Sequence, residues 1–81
     1  MTYRLRLDPT VHEIYRALPD RARANLATAL LDAMHDPIGA SVPYGHDDGV
    51  VRTVARGLTT AVILIDDKTQ SITVIHIASA D

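Results

Sequence analysis

Cysteine is absent from this 81-residue chain, and so are phenylalanine and tryptophan. Without cysteine there is no disulfide framework, no thiolate metal site and no cysteine nucleophile. Tyr3, Tyr15 and Tyr44 are the only aromatic residues, so the core has to be aliphatic. The stacking platforms that single-stranded nucleic-acid binders usually offer are missing. No apolar run reaches the length of a membrane span and no basic-then-apolar leader opens the chain, which makes a cytoplasmic location the expectation, with no membrane partner. Phosphate loops, dinucleotide fingerprints and serine nucleophile elbows are missing too, so no cofactor is expected.

What remains is a globular composition, 47% hydrophobic and 22% charged, rich enough in apolar residues to fold. The length allows one domain over residues 1–81, and a chain this small buries only about 60–65% of its unfolded surface. Marginal stability and help from a partner follow. The net charge of -2 speaks against nucleic-acid binding, whose affinity comes from cations neutralising phosphates. Yet all the basic residues except Lys68 are arginines, and a guanidinium can grip phosphate as a fork. Clustering decides between these two, and net charge does not report it.

Residues 3–7 alternate, with Tyr3, Leu5 and Leu7 on one face and Arg4 and Arg6 on the other, the period of a half-buried strand. Asp8-Pro9 then reads as an N-cap followed by proline at the first helical position. Val11, Ile14, Tyr15 and Leu18 form the apolar stripe of a first helix. Leu18-Pro19-Asp20 breaks it, because proline pushes its predecessor out of the helical region. A second helix follows, with Ala22, Leu26, Ala29, Leu30 and Ala33 on one stripe and His35-Asp36-Pro37 as its stop. The short link predicts an antiparallel helical hairpin.

From Pro37 to Gly49 prolines and glycines interrupt any periodicity, which predicts a loop. Three β-branched runs close the chain at Val50 to Arg56, Thr60 to Ile65 and Ile72 to Ala78, and their short connections predict an antiparallel meander. The middle run is apolar on both faces: Val62 and Leu64 point one way, Ala61, Ile63 and Ile65 the other. In the last run Ile72 and Val74 are read opposite Ile75 and Ile77. One helical hairpin covers one face. A partner segment on the second face, or self-association without it, is one expectation; shielding by neighbouring side chains is the other.

Arg52 and Arg56 are four apart in a predicted strand and so share a face, with Val54 between them. Two guanidiniums there could hold a phosphodiester; the commoner fate of arginine is a solvated strand face. Whether Arg4 and Arg6 share that face is not decided by the pattern. His76 in the last strand is a candidate general acid or base, since histidine titrates near neutrality, against the commoner reading of a satisfied surface residue. His46, in the loop Tyr44-Gly45-His46-Asp47-Asp48-Gly49, is a second candidate, although the two aspartates repel phosphate. A metal site there is weaker still, because adjacent side chains rarely converge on one ion. His12 and His35 are read as surface residues.

The βααβββ order resembles the RelE/ParE superfamily of small bacterial toxins. Tyr3-Arg4-Leu5, the Leu18-Pro19 junction, Asp36-Pro37, Gly49-Val50-Val51-Arg52 and Val74-Ile75-His76-Ile77 look like its landmarks. The resemblance implies an α+β fold, a helical hairpin packed on one face of a mainly antiparallel four-stranded sheet. It implies the toxin of a type II toxin–antitoxin system, in the RelE branch a metal-independent mRNA endoribonuclease that inhibits translation. Its partners would be a cognate antitoxin, mRNA and the ribosome. Arg52 matches the family's basic position at the opening of the late sheet, and His76 lies in the strand that leads to its last functional residues; on that reading Arg52 and Arg56 would be the catalytic phosphate ligands and His76 the acid or base, with His46 in reserve. Two rivals stand beside this reading: a ParE-like gyrase inhibitor, and a non-catalytic or weakened interaction module of the same fold. The acidic loop and the residues Ala78-Ser79-Ala80-Asp81, which include no basic side chain, favour the module.

Overall fold

Asp8 caps the first helix as its place before Pro9 predicts: its carboxylate accepts the amide of Val11 at 2.9 Å, satisfying one of the donors a helix start leaves open. The computed structural model describes residues 2–80, so Asp81 of the stretch quoted above lies outside it. In chain order the elements are β1 (Arg4–Leu7), α1 (Pro9–Ala17), α2 (Asp20–His35), β2 (Val42–Pro43), β3 (Val51–Arg56), β4 (Thr59–Asp66) and β5 (Ser71–Ser79). Arg23 of α2 reaches back to the carbonyls of Arg16 and Leu18, at 3.3 and 3.2 Å. A cation thereby meets the negative end of α1 and fixes the hairpin angle.

The sheet has five strands in the order β1-β5-β4-β3-β2. β1 runs parallel to β5, and every other pairing is antiparallel. The expected four-stranded sheet is thus corrected to a mixed five-stranded one. The added strand, Val42–Pro43, lies within the segment read as loop, where two residues are too few to show a period and proline argues against a ladder. It pairs with Thr53 and Arg52 of β3 and blunts that edge.

Both helices pack on one face of the sheet. Val11 of α1 and Leu26, Ala29, Leu30 and Ala33 of α2 join Val54, Ala61, Ile63, Ile65, Ile72, Val74 and Ile77 in one buried cluster. The alternation read for β5 is corrected here. A bulge between Val62 and Ile63 in the β4–β5 register leaves Ile75 without a partner, so Ile72, Val74 and Ile77 all face the helices and Ile75 is exposed. One extra residue resets the parity of everything after it. The open face is also less apolar than alternation suggested, since Val62 is only 8% exposed between Thr53 and His76, its partners on β3 and β5.

Candidate functional site

Side chains paired across adjacent strands lie on one face of a sheet, and the register therefore sorts the candidates. Arg52 pairs with Ile63, and Arg56 with Thr59; both belong to the face the helices cover. Arg6 pairs with Thr73, Arg4 with Ser71, and His76 with Val62; these belong to the open face. The arginines of β1 and those of β3 thus lie on opposite sides. The four residues named from sequence do not form one constellation.

Arg52 is 6% exposed, and its guanidinium is spent internally. Nε donates to Ser41 Oγ at 2.6 Å, Nη2 to the carbonyls of Ser41 at 3.0 Å and Ile38 at 3.4 Å, and Nη1 to Asp47 at 3.4 Å. Ser41 Oγ in turn donates to the carbonyl of Pro37. Arg52 therefore ties the segment between α2 and β3 to the sheet, and a buried cation with this many acceptors is in a satisfied state. Arg56 is exposed at the other end of β3, next to the turn. Both arginines share a face as spacing required, but only Arg56 is open to a phosphate.

His46 is exposed in its loop, where its carbonyl accepts the amide of Asp48 at 3.0 Å. Asp48 caps the start of β3: its carboxylate accepts the amides of Val50 at 2.9 Å and Val51 at 3.1 Å, and these donors lower its pKa. No group of three metal-ligating side chains occurs among the described residues.

His76 is exposed on the open face. It shares that face with the exposed Arg6 and Arg4 and with the hydroxyls of Thr73, Thr53 and Thr60. One arm of Arg4 is used on the carbonyl of Thr69 at 3.2 Å. This face offers an imidazole for proton transfer and guanidiniums for an anion. Arg6 was visible in the sequence, as the polar side of the alternating first strand. What the sequence lacked was the strand order that puts β1 beside β5 and hence on the side of His76.

Comparison with known proteins turns on the fold. No protein-family model matches the chain, and no curated protein sequence matches it. Solved structures do. The RelBE2 toxin–antitoxin complex of Mycobacterium tuberculosis matches with a TM-score of 0.83 at 20% identity, covering 100% of this chain and 95% of that one. The isolated RelE toxin of E. coli gives 0.80 at 22%, over 98% and 85% of the two chains. The archaeal RelE–RelB complex of Pyrococcus horikoshii gives 0.74 at 14%, over 98% and 96%. The chain has the RelE fold. No helix of the described residues is long and apolar enough to cross a membrane.

Proposed function

We propose that this chain is the toxin of a type II toxin–antitoxin pair, a RelE-like cytoplasmic endoribonuclease that cuts mRNA on the ribosome without a metal. The observation that carries the reading is the match of the whole chain to RelE toxins solved both alone and with their antitoxins. Sites are not inherited at such low identity, so the residues come from the geometry. Messenger RNA would lie on the open face, with Arg6 and Arg4 on its phosphates. His76 would take the proton of a ribose 2′-hydroxyl as that oxygen attacks phosphorus; the bond from phosphorus to the 5′-oxygen of the next nucleotide breaks, that oxygen leaves with a proton from water, a 2′,3′-cyclic phosphate remains, and Arg6 would offset the charge that builds on the phosphoryl oxygens. Arg56, on the covered face, and His46, in the loop before β3, are assigned no contact with the message. Arg52 is assigned a structural role.

A second reading has a specific observation behind it. Arg52 lies on the covered face and is consumed by Ser41 and Asp47, so it adds nothing to the cations of the open face, where an RNA enzyme of high affinity needs several; this fits a weakened toxin or an interaction module. Purified protein added to ribosomes translating a defined mRNA separates the two. The account expects mapped cuts, reduced about 10²–10⁴-fold in His76→Ala, the usual worth of a general acid or base, with unchanged folding. A well-folded wild type that leaves the message intact contradicts the ribonuclease, and arrest of cells that depends on gyrase moves the protein to the ParE branch.

A further inference from the structure

Three aromatic rings are few, but the fold sorts them. Tyr3 and Tyr15 pack against the core cluster, whereas Tyr44, just beyond β2, is 57% exposed. Its amide donates to the carbonyl of Val51 at 3.1 Å, which extends the pairing of Val42 with Thr53 and Pro43 with Arg52 by one more residue. Alternation from Val42 then sets the Tyr44 ring on the open face. The chain on either side of it is tied down, because Ser41 and Asp47 both bind the Arg52 guanidinium.

The register puts Tyr44 in a row with other candidates. Val51 pairs with Leu64, Leu64 with Thr73 and Thr73 with Arg6. One line across the sheet therefore runs from an exposed ring, over two half-buried apolar side chains, to a hydroxyl and a guanidinium. The open face is divided: aromatic and apolar toward β2, cationic toward β1. Two strand spacings, about 10 Å, separate β5 from β3, close to the length of one nucleotide from its phosphate to the far edge of its base. Asp47 and Asp48 follow Tyr44 closely in the chain and repel phosphate from the β2 side, so a single-stranded nucleic acid fits this face with its backbone toward β1. A protein partner would need about 800 Å² on this side, more than the strip of Val42, Tyr44, Val51 and Leu64 offers, whereas a base needs one ring.

We propose that Tyr44 is a stacking platform for one base of a single-stranded RNA, with Val51 and Leu64 beneath that base. The strand lies along β5, its phosphates toward Arg6 and its bases toward β2. Every base has a π-face, so the platform accepts any sequence. The proposal rests on the ribonuclease reading only for the identity of the strand as a message; the ring, the row and the charges stand without it.

The test uses the whole chain and 2′-O-methyl RNA hexamers, which lack the attacking hydroxyl and so report binding without cleavage. The chain has no tryptophan, and Tyr44→Trp makes the only indole a reporter at the site. Its fluorescence is expected to be quenched saturably by the hexamer, and a hexamer with every base removed should leave it unquenched. With a labelled hexamer, Tyr44→Ala should weaken binding about 5- to 100-fold, the usual worth of one stacked base, while Tyr44→Phe, which keeps the ring, should bind as wild type does. Equal quenching by the abasic hexamer, unchanged binding in a folded Tyr44→Ala, or an indole silent at millimolar RNA each overturn the proposal. An indole that ignores RNA but responds to the protein encoded beside this chain assigns the strip to protein and overturns it as well. Quenching by RNA together with an intact message in the translation experiment removes the ribonuclease and leaves the platform; mapped cuts with no quenching remove the platform alone.

Discussion

Arg52 holds the carbonyls of Ile38 and Ser41, the Ser41 hydroxyl and the Asp47 carboxylate from one buried guanidinium. Its removal strands several acceptors at once, and Arg52→Ala is expected to cost about 2–4 kcal/mol, read as a lower urea midpoint. Arg56→Ala, at an exposed position, should stay within about 0.5 kcal/mol of wild type. The double substitution is therefore a poor probe of catalysis, since it would report folding. Two carboxylates act on a smaller scale. Asp48 and Asp66 have lowered pKa values, Asp48 chiefly through the amides of Val50 and Val51 and Asp66 chiefly through that of Thr69. Because the folded state favours their ionised forms, their contribution is present above the ordinary carboxylate value of 3.8 and is lost as pH falls below it through the folded pKa. Tyr3 runs the other way: its hydroxyl donates to Asp67 at 2.6 Å, which raises its pKa, so its contribution holds below pH 10 and is lost above it. Stability should be flat between about pH 5 and 9 as far as these groups decide it. Asp48→Asn and Asp66→Asn should each flatten the acid limb in pH-dependent urea melts.

The hairpin of β3 and β4 turns on two residues, Gly57 and Leu58. Gly57 has φ +62°, a positive angle at the first of the two turn positions, as in a type II′ turn. A Cβ there would lie 2.6 Å from Asn25 Nδ2 of α2. Strain and contact together predict a loss of about 1–3 kcal/mol for Gly57→Ala, measured as a lower melting temperature. Such local signals made most of the fold legible. The Asp8-Pro9 cap, the Pro19 break, the 3.6-residue stripes and the β-branched runs each have a local cause, and the observed elements begin and end within a residue or so of the expected ones. β2 was not legible, because Val42–Pro43 is a strand only by virtue of its pairing with β3. Nor was the side of the sheet taken by Arg52: spacing fixes that Arg52, Val54 and Arg56 share a face, whereas long-range packing against α2 decides that this face is the covered one. Val54, 1% exposed and midway between the arginines, was the available hint. The bulge that exposes Ile75 has no local signature either, and it misassigned Ile77. His76 lies on the face opposite Ile77, and Arg6 joins it there only through the parallel β1–β5 pairing.

At the scale of the molecule, 81 residues build one aliphatic cluster under a helical hairpin, and a ligand that binds only the folded state adds stability by mass action. A partner present at a hundred times its Kd should add about 2.7 kcal/mol, which for a domain of this size raises the melting temperature by roughly 10–20 °C. An unchanged melting temperature at saturating partner would contradict the coupling of partner and fold. Growth of bacteria after tightly controlled induction of this chain, alone and together with the protein encoded beside it, tests the central claim most directly. The account predicts arrest by the chain alone, relief by the co-expressed partner, and no arrest by an equally expressed His76→Ala variant. Uninterrupted growth with abundant, folded wild-type protein would contradict it.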